Sequence, residues 1–189
     1  MKLERATAVP GTNLGQPTIM AAVPLLRRAA KIELAAAKIY DTLATRFVDD
    51  PVLHRFWSNM ADDERKHSKK LETWQALLKQ GPATERPDLT DFSKPIGDLE
   101  RLTRDLAPRV AKVSSADEAF AIALALESSE LDIIYTTLLQ SSPVARFPDV
   151  AETRRAEIGR HHQALLEMVR ARSQSEQNRR MAALIAAEE

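Results

Sequence analysis

The sequence predicts an all-α protein, a four-helix bundle whose second and third helices are joined by one long crossover. Three observations predict it. Ala, Leu, Glu, Arg and Lys dominate and only five glycines are present, a mixture that favours helices. Apolar residues recur with a 3.6-residue period on both sides of Asp49-Asp50-Pro51, and again after residues 115 and 148. Between these paired stretches, residues 81 to about 114 hold Pro82, Pro87, Pro95 and Gly97. That segment is too long for a tight turn but long enough to carry the chain back along a bundle. Hairpin, crossover, hairpin is the order of a bundle with one long connection.

Composition narrows the function classes. The 189 residues suffice for one domain with a core, and 27 acidic residues balance 27 basic ones. No global charge argues for nucleic acid or an anionic membrane. The absence of cysteine excludes disulfides, thiolate nucleophiles, Cys-ligated zinc and iron–sulfur clusters. The apolar run Met20 to Leu26 is short and broken by Pro24, so neither a signal peptide nor a membrane span is expected, and a cytoplasmic location is.

Residues 1–22 mix proline and glycine without periodicity and read as a tail, 23–172 as the bundle, and 173–189 as a C-terminal helical extension. Pro24 suits the first turn of helix one. Its inward series is Leu26, Ala29/Ala30, Glu33, Ala37, Tyr40, Leu43/Ala44 and Phe47. Asp50 caps helix two, with Pro51 at its first position. Its stripe runs Leu53, Phe56/Trp57, Met60, Glu64, His67, Leu71, Trp74 and Leu78, ending at Gly81-Pro82. In the crossover only Leu99, Leu102 and Leu106 suggest a short helix. Ser115-Ala-Asp-Glu118 is a capping box opening a third helix to about residue 140, with Phe120, Leu124, Glu127, Leu131 (Glu130 beside it), Ile134 and Leu138 inward. A fourth follows Phe147-Pro148, with Val150, Arg154, Glu157/Ile158, His161, Leu165 and Met168 inward and His162 outward. Helicity continuing to the C-terminus would let Met181, Leu184 and Ile185 contact a partner or another part of the bundle.

The polar residues in these stripes fall at one level. With helix ends at 48, 51, 140 and 148, Glu33 stands 15 residues from its end, Glu64 13, Glu127 13, Glu130 10, Glu157 9 and His161 13. The spread is about two helical turns. Five glutamates in a dry core would repel one another and resist ionisation. Either several are protonated or cations neutralise them. Two divalent metals held with His67 and His161 would do so. A Glu from each of two helices with a Glu/His pair from each of the other two is the ligand set of di-iron and di-manganese bundles.

Three pieces, Glu33-Leu-Ala-Ala-Ala-Lys-Ile-Tyr40, Asp63-Glu-Arg-Lys-His67 and Glu127-Ser-Ser-Glu130, together with Tyr135, stand in the order of a known family. Over about residues 24 to 170 the chain resembles the rubrerythrin-like branch of the ferritin-like superfamily. The resemblance implies a ferritin-like bundle with Glu33, Glu64, Glu127 and Glu157 as shared ligands and His67 as a terminal one. Glu130 would be an additional carboxylate engaged on oxidation, and Tyr40 and Tyr135 would hydrogen-bond opposite ligands. It implies two iron ions, or manganese or a mixed pair, and no haem. The family's rubredoxin-type iron is ruled out by the missing cysteines. The implied reaction is reduction of peroxide, or oxidation of Fe(II), with peroxide or dioxygen and an external electron donor as partners in a homodimer. The chain departs from the family at Arg160, where the second Glu-x-x-His would put histidine. Glu157 and His161 are four apart instead, a spacing that still shares a helix face. Two other readings stay open at this level: metal binding or storage without turnover, and a metal-free interaction module in which Arg154 and Arg160 neutralise the acids.

Overall fold

A computed structural model describes residues 18–80, 92–128 and 148–188, with side chains over 23–80, 92–128 and 160–187. Six helices are described: α1 (Thr18–Arg46), α2 (Pro51–Gln80), α3 (Ser93–Val110), α4 (Ala116–Glu127), α5 (Pro148–Arg172) and α6 (Glu176–Glu188), with no strand among the described residues. The described residues form an all-α bundle.

α1 and α2 form the expected hairpin. The Asp50 carboxylate accepts the N–H groups of Val52 at 3.0 Å and Leu53 at 3.1 Å, satisfying donors that a helix start leaves without partners. Register is set further along, where Ser68 Oγ donates to the Ala30 carbonyl at 2.9 Å and Gln75 Nε2 to the Val23 carbonyl at 3.0 Å. Pairing 30 with 68 and 23 with 75 makes the helices antiparallel and brings Glu33 level with Arg65, one position from Glu64. Every expected inward position of α2 is buried. α1 starts earlier than the sequence suggests, at Thr18, so Pro24 lies inside the helix and lacks the N–H that would reach back four residues.

The crossover departs most from expectation. The short helix suggested by Leu99, Leu102 and Leu106 is in fact the 18-residue α3. Ile96, Leu99, Thr103, Leu106 and Val110 are its buried series, spaced 3, 4, 3 and 4 along one face. Pro95 falls in the first turn, where its missing N–H costs nothing, and Pro108 lies close to the end, so neither proline interrupts the middle. α3 lies against α1, and Arg28 grips Glu100 with two bonds, Nε to Oε1 at 2.8 Å and Nη2 to Oε2 at 2.9 Å.

α4 opens on the predicted cap. Ser115 Oγ accepts the Glu118 N–H at 3.2 Å, and the Glu118 carboxylate reaches back to the Ser114 N–H at 2.7 Å. The box closes one residue further upstream than the motif alone implies. The rest of the expected third helix lies outside the described residues. At the other end, helicity does not run unbroken. It stops at Ser173, where the Asp117 carboxylate accepts the Ser173 hydroxyl and the Gln174 N–H, and Asn178 Nδ2 donates to the Asp117 carbonyl at 2.9 Å. α6 then packs against α4 and α5, with Ala182 and Ile185 buried and Met181 and Leu184 exposed.

The apolar interior falls into two clusters. One lies near the α1–α2 turn and includes Tyr40, Leu43, Trp57, Phe120, Leu165, Val169 and Ile185. The other lies toward the far end of the hairpin and includes Leu26, Ile32, Leu71, Trp74, Ile96 and Leu99. Along α1 the boundary falls between Ile32 and Ile39, and along α2 between Ala61 and Leu71. Glu33, Glu64 and His67 occupy that boundary.

Candidate metal centre

Burying a carboxylate on a bundle helix requires a compensating partner. Glu33 is 2% exposed, Glu64 4%, His67 9% and His161 5%, so the interruption of the apolar stripes is genuinely inside. α1 supplies Glu33 and Tyr40, α2 supplies Glu64 and His67, the last residue of α4 is Glu127, and α5 supplies His161.

Glu64 is the centre. Its Oε2 lies 3.2 Å from His67 Nδ1 and its Oε1 3.2 Å from His161 Nε2. His161 Nε2 is also 3.2 Å from Glu127 Oε1. The His67 and His161 rings meet edge to face with centroids 5.5 Å apart. Two donor groups result, Glu33–Glu64–His67 and Glu64–Glu127–His161, each with one ligand atom per residue and all three atoms within 4.8 Å of one another. Glu64 belongs to both, offering one oxygen to each side.

Tyr40 donates its hydroxyl to Glu127 Oε1 at 2.6 Å, a short charge-assisted bond. Burial first, then the carboxylates of Glu127, Glu64 and Glu33, push the phenol well above its ordinary range, so Tyr40 stays a donor. Its ring stacks on Trp57, centroids 5.9 Å apart, and Trp57 leans on Phe120 at 5.6 Å. This aromatic wall seals the turn side of the site.

Around His161, burial works against the cation. The carboxylates of Glu127, Asp63 and Glu64 outweigh it and lift the imidazole well above the usual histidine range. Burial likewise works against the Glu127 carboxylate, but His161 and His162 hold that group well below its ordinary range. Both histidines thus oppose the Glu127 charge, His161 beside Oε1 and His162 beside Oε2. Of the two arginines that the metal-free reading made neutralisers, Arg160 is exposed and the side chain of Arg154 lies outside the described residues. The outer nitrogen of His161, Nδ1, stands 3.6 Å from Asp63 Oδ2. That is an ionic contact rather than a hydrogen bond, and the buried Nδ1 has no hydrogen-bond partner among the described residues. His161, opposed first by burial and assisted by Lys66 at 2.6 Å, lowers the Asp63 carboxyl from its ordinary value.

Of the residues singled out from the sequence, Glu33, Tyr40, Glu64, His67, Glu127 and His161 come together. Glu130 and Tyr135 lie outside the described residues. Glu157 lies on α5 one turn before His161, with its side chain outside them. One residue reverses expectation: His162, read as outward, is 8% exposed and places Nε2 3.1 Å from Glu127 Oε2. A signal for it was present. His161-His162 is followed four residues later by Leu165-Leu166, and all four are buried. Paired buried positions one turn apart mark a helix covered on two sides, with a face broader than a single stripe.

The donor set fits a metal. Carboxylate oxygens and imidazole nitrogens are the ligands divalent iron, manganese and zinc accept. Glu33, Glu64 and Glu127 bring three carboxylates together with His67 and His161, a concentration of acidic groups that a divalent cation would neutralise. A helical bundle with two carboxylate–histidine groups joined through one glutamate has the architecture of the carboxylate-bridged metal proteins. Comparison with known families agrees. The family model described as Rubrerythrin matches residues 24–101, so this segment is similar to the rubrerythrins of the ferritin-like superfamily. The matched segment contains Glu33, Tyr40, Glu64 and His67, whereas Glu127 and His161 lie beyond it. The chain has no significant match among curated proteins or solved structures.

Proposed function

We propose that the protein is a non-haem di-iron oxidoreductase of rubrerythrin type, with manganese or a mixed pair as the variant metal content, reducing peroxide or oxidising Fe(II) in the bundle core. One observation carries this reading: Glu64 offers a separate oxygen to each of two donor groups, the disposition of a carboxylate that bridges two metals. Glu33 and His67 would hold one ion, Glu127 and His161 the other. Glu130 and Glu157 remain proposed additional ligands, and Tyr135 a proposed partner of Tyr40. When bound, such a pair of metals supplies two electrons, one from each ion passing from +2 to +3, which with two protons convert hydrogen peroxide to two waters.

The rest is the work of the chain. Tyr40 keeps its proton and fixes Glu127 by donating to Oε1. Trp57 and Phe120 exclude bulk water from the turn side. His161 would have to release a proton to hold a metal through Nε2, so loading would be linked to pH. Cysteine is absent, so the electrons would return through an external donor. A homodimer, a cytoplasmic setting and independence of nucleic acid and membrane belong to the same proposal. Among the described residues no helix is long and apolar enough to cross a membrane.

Elemental analysis after anaerobic Fe(II) reconstitution, followed by absorption spectroscopy on adding peroxide, tests the reading. It expects about two irons per chain and oxidation that depends on peroxide. Less than about half an iron per chain would overturn it. Full loading without peroxide- or oxygen-dependent oxidation would indicate binding or storage instead.

A further inference from the structure

Adjacent residues on a helix point about 100° apart, so burying both His161 and His162 requires neighbours on two sides. α5 has them. His161 turns toward α2, meeting Glu64 and the His67 ring, while His162 turns toward the end of α4. The two imidazoles are not equivalent. His161 joins a donor group with Glu64 and Glu127. His162 faces the opposite oxygen of Glu127, Oε2, at 3.1 Å. Glu127 is thereby held at both ends: Oε1 receives the Tyr40 hydroxyl from α1 and Oε2 faces the His162 Nε2–H from α5. It needs such a hold, because it is the last residue of its helix, where the backbone ladder ends and positions are least constrained.

We infer that His162 is a positioning residue for the proposed centre: by donating to Glu127 Oε2 it keeps Oε1 turned toward Glu64 and His161, so that Glu127 presents one oxygen. The inference rests on the metal-site reading above. It gives the substitution at Arg160 a structural context: where the family spacing would put a histidine, this chain has an exposed arginine, followed by one imidazole that joins a donor group and a second that braces a carboxylate. Groups that brace metal ligands in this way typically alter metal affinity about 10–100-fold when removed.

The test is titration of the full-length chain with Co(II) alone, following stoichiometry, affinity and the visible absorption that reports cobalt coordination. His162→Ala is expected to weaken binding about 10–100-fold, to shift the cobalt bands and to leave stoichiometry unchanged. His162→Gln, which retains a side-chain N–H donor, is expected to recover affinity to within about threefold of wild type. His162→Phe, which fills the space without a donor, should behave like His162→Ala. If the alanine variant fails to fold, the Gln/Phe pair decides alone, with melting of the metal-free proteins as the fold control. Wild-type affinity in His162→Ala, or equal loss in Gln and Phe, would overturn the inference. Loss of a whole cobalt ion in the alanine or phenylalanine variant would also overturn it, making His162 a ligand. A wild-type protein that binds no cobalt would overturn this inference together with the proposed centre, whereas normal wild-type binding with an indifferent His162 overturns this inference alone.

Discussion

Replacing Glu64 by glutamine removes charge at the centre of the site while keeping volume, so no cavity forms. In the native chain each Glu64 oxygen lies 3.2 Å from a different histidine nitrogen. An amide has one oxygen and one NH2, so at least one donor group loses its anionic ligand, and the shared connection between the two is broken. The magnitude follows from linkage. A metal present at about 100 times its Kd stabilises the fold by about 2.7 kcal/mol. For a chain of this size each kcal/mol moves Tm by about 2–4 °C, so each saturated site should raise the wild-type Tm by roughly 5–11 °C and the two proposed sites together by about twice that. Glu64→Gln should lose at least about half of the combined increment and bind at most about one metal. Calorimetry of metal-free and Mn(II)-saturated proteins, with elemental analysis of the same samples, provides the comparison. A variant that still binds two metals and gains a wild-type-sized increment would refute the bridging role of Glu64.

Tyr40→Phe removes a hydroxyl bonded at 2.6 Å to a buried carboxylate, and should cost the metal-free protein about 1.5–3 kcal/mol in urea unfolding. The Asp117 carboxyl is lowered in the folded state by the Ser173 hydroxyl, then, with burial opposing, by the N–H groups of Ser175 and Gln174. Its stabilising contribution is therefore present above the unfolded value of about 3.9 and disappears as pH falls through the lower folded value. Asp117→Asn should cost about 1 kcal/mol at neutral pH, and comparing urea midpoints at pH 7 and 3 should show the gap to wild type narrowing. Gly97 lies inside α3, and an added Cβ would meet only the Arg28 guanidinium at 3.6 Å, an ordinary contact. Gly97→Ala should stabilise the protein by about 0.5–1 kcal/mol, read by thermal melting. Arg160 is exposed, so Arg160→His should leave metal stoichiometry unchanged in elemental analysis, although the family spacing alone suggests that it would strengthen binding.

The helical class, the α1–α2 hairpin with its Asp50 cap, and the buried stripe of α2 with Glu64 and His67 in it were legible in the order of residues alone. These are local properties. Capping uses groups two or three residues apart, and the 3.6-residue period decides which side chains share a face. Level-matching across turns also placed Glu33, Glu127 and His161 near Glu64, because rise per residue is nearly constant along a helix. Tertiary structure decided what local pattern does not encode. α3 runs to 18 residues because α1 offers a surface for Ile96, Leu99 and Leu106, while its prolines fall near its two ends. Helicity breaks at Ser173 because Asp117, 56 residues away, captures its hydroxyl. His162 is buried because α5 is covered on two sides, a fact about its neighbours rather than its own sequence. The same packing leaves Arg160 outside and sets His161 between the carboxylates of Glu64 and Glu127. How many sides of a helix are covered is decided only when the other helices are in place.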